Sequence, residues 1–319
     1  MRFIKLSGDF TPIHQGIFYD VDTESNAPSE VVVEIVNANT GEVAASQLLR
    51  GISSAKVNIA PYLPRFAERK PHKPDHSTFV EVPTATFYLR ANGVISESIT
   101  ISVNLCDTPA STTIISSLPA LRRIAYGECD ELLVRVPQNG VIAATITADN
   151  GESLSIERVA STGITALSIS TKDFGTNIDT LHVELTHNGE VFNRIDYLVV
   201  EPQKSSVRLA WVSESGSIER YTFPRIGVSC KVGKRYFNTE SCRATASATI
   251  ERNWVLTSRY EPRATIEALS HIISSPKVWI EEEAMREIEV CTSQINYNLF
   301  NEPDVIELEI CELRREVAL

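Results

Sequence analysis

Hydrophobic and polar residues alternate over short runs of this chain, which is the pattern of half-buried β-strands. The alternation is most regular at 99–105, where Ile99, Ile101, Val103 and Leu105 are separated by Thr, Ser and Asn. Other strand-like runs, rich in Val, Ile, Leu and Thr, occur at 31–36, 132–136, 141–148, 154–159, 181–185 and 191–200. The pattern predicts a mainly β protein.

Four Asn-Gly pairs interrupt these runs. They are Asn92-Gly93, Asn139-Gly140, Asn150-Gly151 and Asn188-Gly189. A two-residue hairpin turn of type I′ needs positive φ at both central residues, and Asn-Gly tolerates that conformation best. We therefore expect the middle of the chain to be a series of antiparallel hairpins.

The strand-like runs fall into three groups. A first group spans 1–106 and predicts an N-terminal β-sandwich. Residues 107–119 contain Ser, Thr and Pro with a single charge, which is typical of a linker. The runs in 120–202 are short and closely spaced, which favours an immunoglobulin-like β-sandwich.

The last group, 203–319, combines strands with one predicted helix. Ile266, Leu269, Ile272 and Ile273 recur at helical spacing within 264–274, and Pro262 suits the start of a helix. The whole chain is therefore predicted to hold two immunoglobulin-like β-sandwich domains followed by a β-rich α+β C-terminal domain.

Composition narrows the class of protein. The net charge is −11, which argues against binding to nucleic acid. No apolar run approaches the roughly 20 residues of a membrane-spanning helix. The first residues, Met1 to Asp9, do not resemble a secretory signal. We expect a protein that has no signal peptide and binds no membrane, and that stays in the cytoplasm or leaves it by another route.

Charge is distributed unevenly in the last group. Between 221 and 263 there are eight Lys or Arg and three Glu, whereas 279–319 holds eleven acidic and three basic residues. One interpretation is that adjoining strands neutralise each other within one sheet. The other is that two complementary surfaces support head-to-tail self-assembly. The candidate interface residues are Arg225, Lys231, Lys234, Arg235, Trp254, Trp279, Glu281, Glu282 and Glu283.

No motif in the sequence announces a reaction. The glycine-rich phosphate-binding patterns and the G-x-S-x-G nucleophile pattern are missing. His72, Asp75 and His76 could share a metal on a helix, but Pro71 and Pro74 favour an exposed loop. The three consecutive residues Glu281, Glu282 and Glu283 could bind a divalent cation, although a solvated hairpin tip is the simpler interpretation. We expect a protein that is not an enzyme and has no cofactor or metal.

The tryptophans and cysteines have a packing interpretation. Trp211, Trp254 and Trp279 could form a sugar-binding platform, but each lies in an apolar run that favours core or interface packing. The six cysteines are Cys106, Cys129, Cys230, Cys242, Cys291 and Cys311. No two of them are closer than 12 residues, and we expect free, mostly buried thiols.

The last group also carries a family resemblance. Residues 209–224 contain a hydrophobic-Trp strand, a Gly turn and a Tyr-Thr-Phe strand. Residues 269–280 run through Ser-Pro-Lys-Val, and 295–313 contain Asn-Tyr-Asn-Leu-Phe-Asn. These motifs resemble those of virion structural proteins in phages and prophages of gut bacteria. An early motif at 57–63 is similar too, with Asn58 and Ala60 where the family pattern has Asp and Ser.

The resemblance implies a non-enzymatic structural subunit of a phage or prophage tail or baseplate. Such a subunit would assemble through its C-terminal domain into a ring or another homo-oligomer and contact other virion proteins. It would be made in the bacterial cytoplasm and end in the virion. The alternative is a carbohydrate- or cell-surface-binding protein built of immunoglobulin-like modules, with the tryptophans as its platform.

Overall fold

The computed structural model describes residues 1–6, 16–24, 29–63, 70–102, 111–238, 243–297 and 303–312. Strands make up 59% of the chain and helices 7%, so the predicted mainly β class is confirmed. The predictions that concern Cys106, Cys242 and the Asn-Leu-Phe-Asn run at 298–301 lie outside the described residues.

The strands are numbered along the chain. They are β1 (Arg2–Lys5), β2 (Phe18–Asp22), β3 (Ser29–Asn37), β4 (Val43–Ile52), β5 (Ser54–Asn58), β6 (Thr78–Glu81), β7 (Thr84–Ala91), β8 (Val94–Ile95), β9 (Ile99–Ser102), β10 (Thr113–Ile115), β11 (Leu121–Ala125), β12 (Cys129–Val136), β13 (Gly140–Ala148), β14 (Ser153–Ala160), β15 (Gly163–Ser170), β16 (Thr180–His187), β17 (Glu190–Val200), β18 (Val207–Val212), β19 (Ile218–Phe223), β20 (Arg225–Asn238), β21 (Arg243–Thr257), β22 (Val278–Glu281), β23 (Met285–Val290) and β24 (Glu307–Glu312).

The first sandwich consists of a three-stranded sheet, β1-β2-β5, and a second sheet of order β4-β3-β7-β8, in which β9 also pairs with β7. Both sheets contribute to one core. Tyr19 and Val57 come from the first sheet, and Val33 and Phe87 from the second. Alternation in the sequence arises here because each strand has one face on this core.

The second sandwich packs the sheet β10-β12-β15-β6 on the sheet β11-β17-β16-β13-β14. Leu132 and Leu167 of the first sheet and Ile146 and Leu185 of the second share its core. Most pairs are antiparallel, as predicted, but β11 runs parallel to β17. The immunoglobulin-like character predicted for this part of the chain agrees with two such sheets.

The Asn-Gly pairs have three different outcomes. Asn92-Gly93 and Asn188-Gly189 have positive φ at both residues and close the predicted hairpins β7–β8 and β16–β17. Asn150-Gly151 also joins paired strands, but only Gly151 has positive φ. The hairpin predicted at Asn139-Gly140 is wrong.

At that position β12 and β13 belong to different sheets, so the chain crosses between the layers. Neither residue of the pair has positive φ among the described residues. A glycine is required at position 140 for steric reasons. A Cβ atom there would come within 2.5 Å of the His187 ring and within 2.4 Å of the Asn188 side chain. Asn139 accepts a hydrogen bond from the Thr162 backbone N–H at 2.7 Å.

Two strands differ from the predicted organisation of the first 119 residues. β10 lies in the predicted linker 107–119 and pairs with β12, because its Thr-Ile-Ile sequence is β-branched throughout. β6 lies within 1–106, yet it pairs with β15 of the second sandwich. Alternation identifies a strand but does not tell which sheet it joins. The other predicted domain boundaries stay predictions.

The C-terminal part is a seven-stranded sheet of order β19-β18-β22-β23-β24-β21-β20. One helix, α1 (Arg263–Ser270), packs on it and continues into a 3₁₀ turn at His271–Ser274. Ile266, Leu269 and Ile272 of this segment are buried against Trp211 and Phe223. The predicted helix over 264–274 is confirmed, with Pro262 at its N-cap.

Candidate assembly interface

The longest pair of described strands, β20 and β21, projects beyond the C-terminal sheet. β20 pairs with β21 along its whole length, from Arg225 to Asn238. On its other side, β21 pairs with β24 only from Trp254 to Thr257. Residues 229–238 and 243–253 therefore form a two-stranded ribbon with no further described strand beside it. We call this ribbon the arm. Its β21 side, 243–253, spans about 35 Å at about 3.3 Å a residue.

An apolar stripe follows one face of β20, from Ile226 at the edge of the sheet to Val232 in the arm. Ile226, Val228 and Val232 alternate along β20 and are 41%, 66% and 52% exposed. Ile226 lies opposite Leu256, which is fully buried in the core. Because directly opposed residues share a face, the stripe continues the core face of the sheet out into solvent.

The arm has the features of an unfinished sheet. A two-stranded ribbon alone is marginally stable in water, and a third strand or a covering element stabilises it. β20 ends the order of the described sheet, so its outer edge offers backbone donors and acceptors to another strand. An apolar face and an open edge together favour association with another chain.

Positive charge is concentrated on the same hairpin. Residues 225–257 hold six Lys or Arg and two Glu in a chain of net charge −11. At the base of the arm, Arg123, Arg225 and Arg259 line a pocket of about 390 Å³ with Tyr260. The hairpin therefore has a charge opposite to that of the remaining chain, which suits a second copy as partner.

The predicted basic interface residues lie on this hairpin. Arg225 and Lys234 are exposed, as the interface hypothesis requires. Lys231 and Arg235 belong to β20, and their side chains lie outside what the structure describes.

The predicted aromatic residues are placed differently. Trp279 is buried in a small cluster with Ala210 and Ile218, and it does not lie at the surface of the chain. Trp254 is partly buried, and the guanidinium of Arg286 lies 5.1 Å from the centre of its ring. Trp211 is fully buried in the main core. Core packing is confirmed for Trp211 and Trp279, so these two residues form no exposed platform.

The three consecutive glutamates do not act as one group. Glu282 and Glu283 are exposed, and Glu282 accepts a hydrogen bond from Arg286 at 2.9 Å. Glu281 ends β22 with a fully buried side chain, so its prediction as a surface residue is wrong. A buried carboxylate needs a cation, and Glu281 has two arginines beside it.

These arginines form a buried ionic cluster between the second sandwich and the C-terminal sheet. Arg208 Nε donates to Glu281 at 3.2 Å, and its Nη1 donates to Glu128 of the second sandwich at 2.7 Å. Its Nη2 donates to the Cys129 carbonyl at 2.6 Å. Arg220 lies 3.4 Å from Glu281 and donates to the His72 carbonyl at 2.8 Å.

A second ion pair extends the cluster into the sandwich. Arg122 Nη1 donates to Asp130 at 3.1 Å, and the Tyr197 hydroxyl donates to the same oxygen at 2.8 Å. Burial would raise the pKa of Asp130, but Arg122, Arg208 and Arg220 lower it overall. Burial would lower the pKa of Arg208, but Glu128 and Glu281 raise it above its usual value.

Cys129 places a thiol, a potential nucleophile, within the cluster. Burial raises the pKa of Cys129 to about 11, so the protonated thiol dominates at neutral pH. A thiol of this kind reacts slowly, because the thiolate is the nucleophile. The contacts of the cluster join the second sandwich to the C-terminal sheet, so the role that they support is structural.

Sequence analysis did not identify Arg208 or Arg220. The available signal was a cation within each of two strands, Val207–Val212, which is otherwise apolar, and Ile218–Phe223, where Arg220 follows Glu219. A charge at such a position is buried only with a partner, and the partner Glu281 is far away in the sequence. The pairing of these arginines with Glu281 could not be predicted, because the residues are far apart in the sequence.

The histidine segment is a loop, as predicted, in which Asp75 and His76 are exposed and His72 is partly buried. The segment 70–77 is docked on the second sandwich, where Ser170 Oγ donates to the Asp75 carbonyl at 3.1 Å. His72 lies 3.5 Å from Glu131, whereas His76 lies 2.8 Å from Asp173. Asp75 pairs with Lys172. The three residues thus have separate partners. In the described part of the chain, no cluster of three His, Cys, Asp or Glu residues could hold a metal ion.

Within the described ranges, no helix is both long and apolar enough to cross a membrane. The fold and the arm define a mainly β protein of two sandwiches and a C-terminal sheet with a projecting hairpin.

No protein-family model and no characterised protein matches the sequence. Among solved structures, a crystal structure of a mutant Salmonella alpha-2-macroglobulin is similar at 10% identity, over 93% of this chain and 24% of that one, with a TM-score of 0.22. The chain thus spans about a quarter of that protein, and a likeness at this score carries no argument about function.

Proposed function

We propose that this protein is a non-enzymatic structural subunit of a phage or prophage tail or baseplate. It assembles with copies of itself, as a ring or another homo-oligomer, through its C-terminal domain. Other virion proteins are its further partners. The projecting arm is the observation that carries the assembly part of this proposal, and the motif resemblance at 209–224, 269–280 and 295–313 supports the virion part.

Assembly would complete what the arm lacks. A second copy placed beside β20 supplies a strand to its open edge and covers Ile226, Val228 and Val232. The negative charge of the remaining chain attracts the basic hairpin, since the whole chain carries −11. Subunits joined in this way are related head to tail, which produces a ring when the rotation closes.

The test is a shortened arm. Ser229 and Asn253 are directly opposite each other, so Asn-Gly can replace residues 230–252 without disturbing the pairing of 254–257 with β24. The shortened protein keeps Ile226 and Val228 but loses Val232 and the open edge of the arm. We expect it to stay folded and to become a monomer in light scattering, while the intact chain forms a discrete oligomer. A shortened protein that still forms the full oligomer would contradict assembly through the arm.

The virion part needs a separate measurement. In a lysogenic strain that carries the coding sequence, DNA damage should induce particles that contain this chain. Mass spectrometry of density-purified particles would detect it in a fixed ratio to the other particle proteins. Its absence from purified particles would refute the tail or baseplate assignment and leave the arm result untouched.

The alternative, a carbohydrate- or cell-surface-binding protein, loses its predicted platform. Trp211 and Trp279 are buried, which leaves the partly buried Trp254 alone. Binding platforms for sugars need exposed aromatic faces, so no arrangement among the described tryptophans favours this function.

A further inference from the structure

Two free thiols are in contact on the C-terminal sheet. Cys291 directly follows β23, and Cys311 lies in β24. Their Sγ atoms are 2.9 Å apart, and both residues are partly exposed. A disulfide bond is about 2.05 Å long, so only a small movement of the side chains separates the two thiols from a bond.

The local backbone explains why the thiols meet. β23 and β24 are antiparallel, with Glu289 opposite Cys311 and Val290 opposite Ile310. The next two N–H groups, of Cys291 and Thr292, both donate to the Glu309 carbonyl, at 2.7 and 3.3 Å. Two residues opposite one form a β-bulge, which bends a strand and redirects its side chains. The bulge brings Cys291 towards Cys311.

The thiols lie on the face of the sheet that points away from the core. Val290 and Ile310 pack on the core side, and neighbouring residues alternate between the faces. Glu289 is near the pair, with one carboxylate oxygen 3.9 Å from Cys311 Sγ. Reagents can reach this site because both cysteines are partly exposed.

The surroundings of Cys291 also lower the reactivity of its thiol at neutral pH. Burial raises the pKa of Cys291 to about 12, and its hydrogen bond with Cys311 and the charges of Cys311, Glu289 and Glu309 act in the same direction. The thiolate of Cys291 is therefore scarce at neutral pH, and thiol–disulfide exchange at Cys291 is slow there.

We propose that Cys291 and Cys311 are a modification site, at which a low-molecular-weight disulfide forms an intrachain disulfide bond. One protein thiolate attacks the reagent, forms a mixed disulfide and releases the first reagent thiol. The second protein thiolate then attacks the protein sulfur of that mixed disulfide and releases the second reagent thiol. Two protein thiols are oxidised, and one reagent disulfide is reduced to two thiols.

The bond would link β24, the last described strand of the chain, to the end of β23. β24 lies between β23 and β21, and β21 carries the arm. The closed loop spans 292–310 and restricts the unfolded chain, which stabilises the folded state. Oxidation outside a reducing compartment would thus strengthen the base of the arm.

The test uses the reduced full-length protein and 2-hydroxyethyl disulfide, a neutral reagent, at mildly alkaline pH. Both cysteines lie in one tryptic peptide, 287–314, because the sequence has no Lys or Arg between Arg286 and Arg314. We expect this peptide to lose two hydrogens. We also expect a rise in Tm of about 5 °C or more that a reducing agent reverses.

Three variants make the result specific. Cys311→Ser should leave a stable mixed disulfide on Cys291 and no rise in Tm, and Cys291→Ser should give the mirror result at Cys311. Cys230→Ser is the matched control, since Cys230 is an exposed thiol elsewhere, and it should form the bond like the parent protein. If Cys230 reacts in the parent protein while 287–314 stays reduced or carries two separate mixed disulfides, the proposal is wrong.

Discussion

Arg208 links the second sandwich to the C-terminal sheet. Its three guanidinium nitrogens donate to Glu281 in the C-terminal sheet and to Glu128 and the Cys129 carbonyl in the second sandwich. An arginine suits this position because its planar head offers several donors in fixed directions. Removal of the head leaves buried carboxylates with fewer partners, which is where the energetic cost arises.

Arg208→Met should therefore destabilise the protein strongly. We expect the free energy of unfolding to fall by about 3 kcal/mol or more in urea denaturation. The matched control is Arg194→Met, which removes an exposed arginine paired with Glu184 and should cost less than about 1 kcal/mol. Equal losses in the two variants would show that the buried cluster does not hold the domains together.

Asp130 makes the same cluster sensitive to acid. Its pKa in the folded protein lies below the unfolded value, so the unfolded chain binds more protons as pH falls through about 4. The stability contributed by Asp130 is complete above that pH and is lost below it.

Asp130→Asn should therefore reduce the acid dependence. We expect a lower Tm than that of the parent protein at pH 7 and a smaller further loss between about pH 4 and 2. Glu190→Gln, at an exposed position, should leave the profile unchanged. A parallel pair of profiles for Asp130→Asn and the parent would contradict this account.

Residues of this cluster also mark the limit of sequence-based prediction. Glu281 follows an apolar run and precedes two further glutamates, and the pattern favoured a solvated hairpin tip. The structure buries it because Arg208 and Arg220 approach from two other strands. Such long-range pairing leaves no local pattern, whereas Ile266, Leu269 and Ile272 show their helical spacing directly in the sequence.

At the scale of elements, turn chemistry was informative where the strands on both sides share a sheet. Asn92-Gly93 and Asn188-Gly189 close hairpins as predicted. Asn139-Gly140 has the same residues but joins two layers, because β12 pairs with β15 and β13 with β14 and β16. A dipeptide specifies the local turn, and sheet membership is decided by tertiary packing.

The arm is the element on which the proposed assembly depends. Val228→Lys places a charge in the exposed apolar stripe at the base of the arm, and we expect the dissociation constant of the oligomer to rise by about tenfold or more. Val159→Lys is the matched control, because Val159 is 79% exposed on β14 of the second sandwich. Sedimentation velocity over a concentration series would measure both variants.

The two variants separate the arm from a general effect of surface charge. Both add one lysine at an exposed valine of a strand, so net charge and solubility change alike. An equal effect of Val228→Lys and Val159→Lys on the dissociation constant would rule out the arm as the contact.

At the scale of the whole molecule, the second sandwich and the C-terminal sheet form one connected body, from which the arm projects. Ionic contacts link the second sandwich to the C-terminal sheet, and the docked segment 70–77 lies against both through Ser170 and Arg220. The arm projects from this body with an open edge and an apolar face. A body of this kind holds the arm in a defined direction, which a symmetric assembly requires.

The distribution of charge also bears on association between copies of the chain. The sequence predicted either neutralisation within a sheet or complementary surfaces between copies. Internal neutralisation is found at Glu281, whereas Arg225 and Lys234 stay exposed and leave the second possibility a prediction. Salt should therefore weaken association between copies, since exposed charges are screened, and affect the buried cluster less.

The most direct test of the account is the mass of the intact chain in solution, measured by light scattering across protein concentration at low and high salt. We expect a discrete oligomer, such as a trimer or hexamer, whose dissociation constant rises with salt. A strict monomer at every concentration and at both salt levels would contradict self-assembly through the arm.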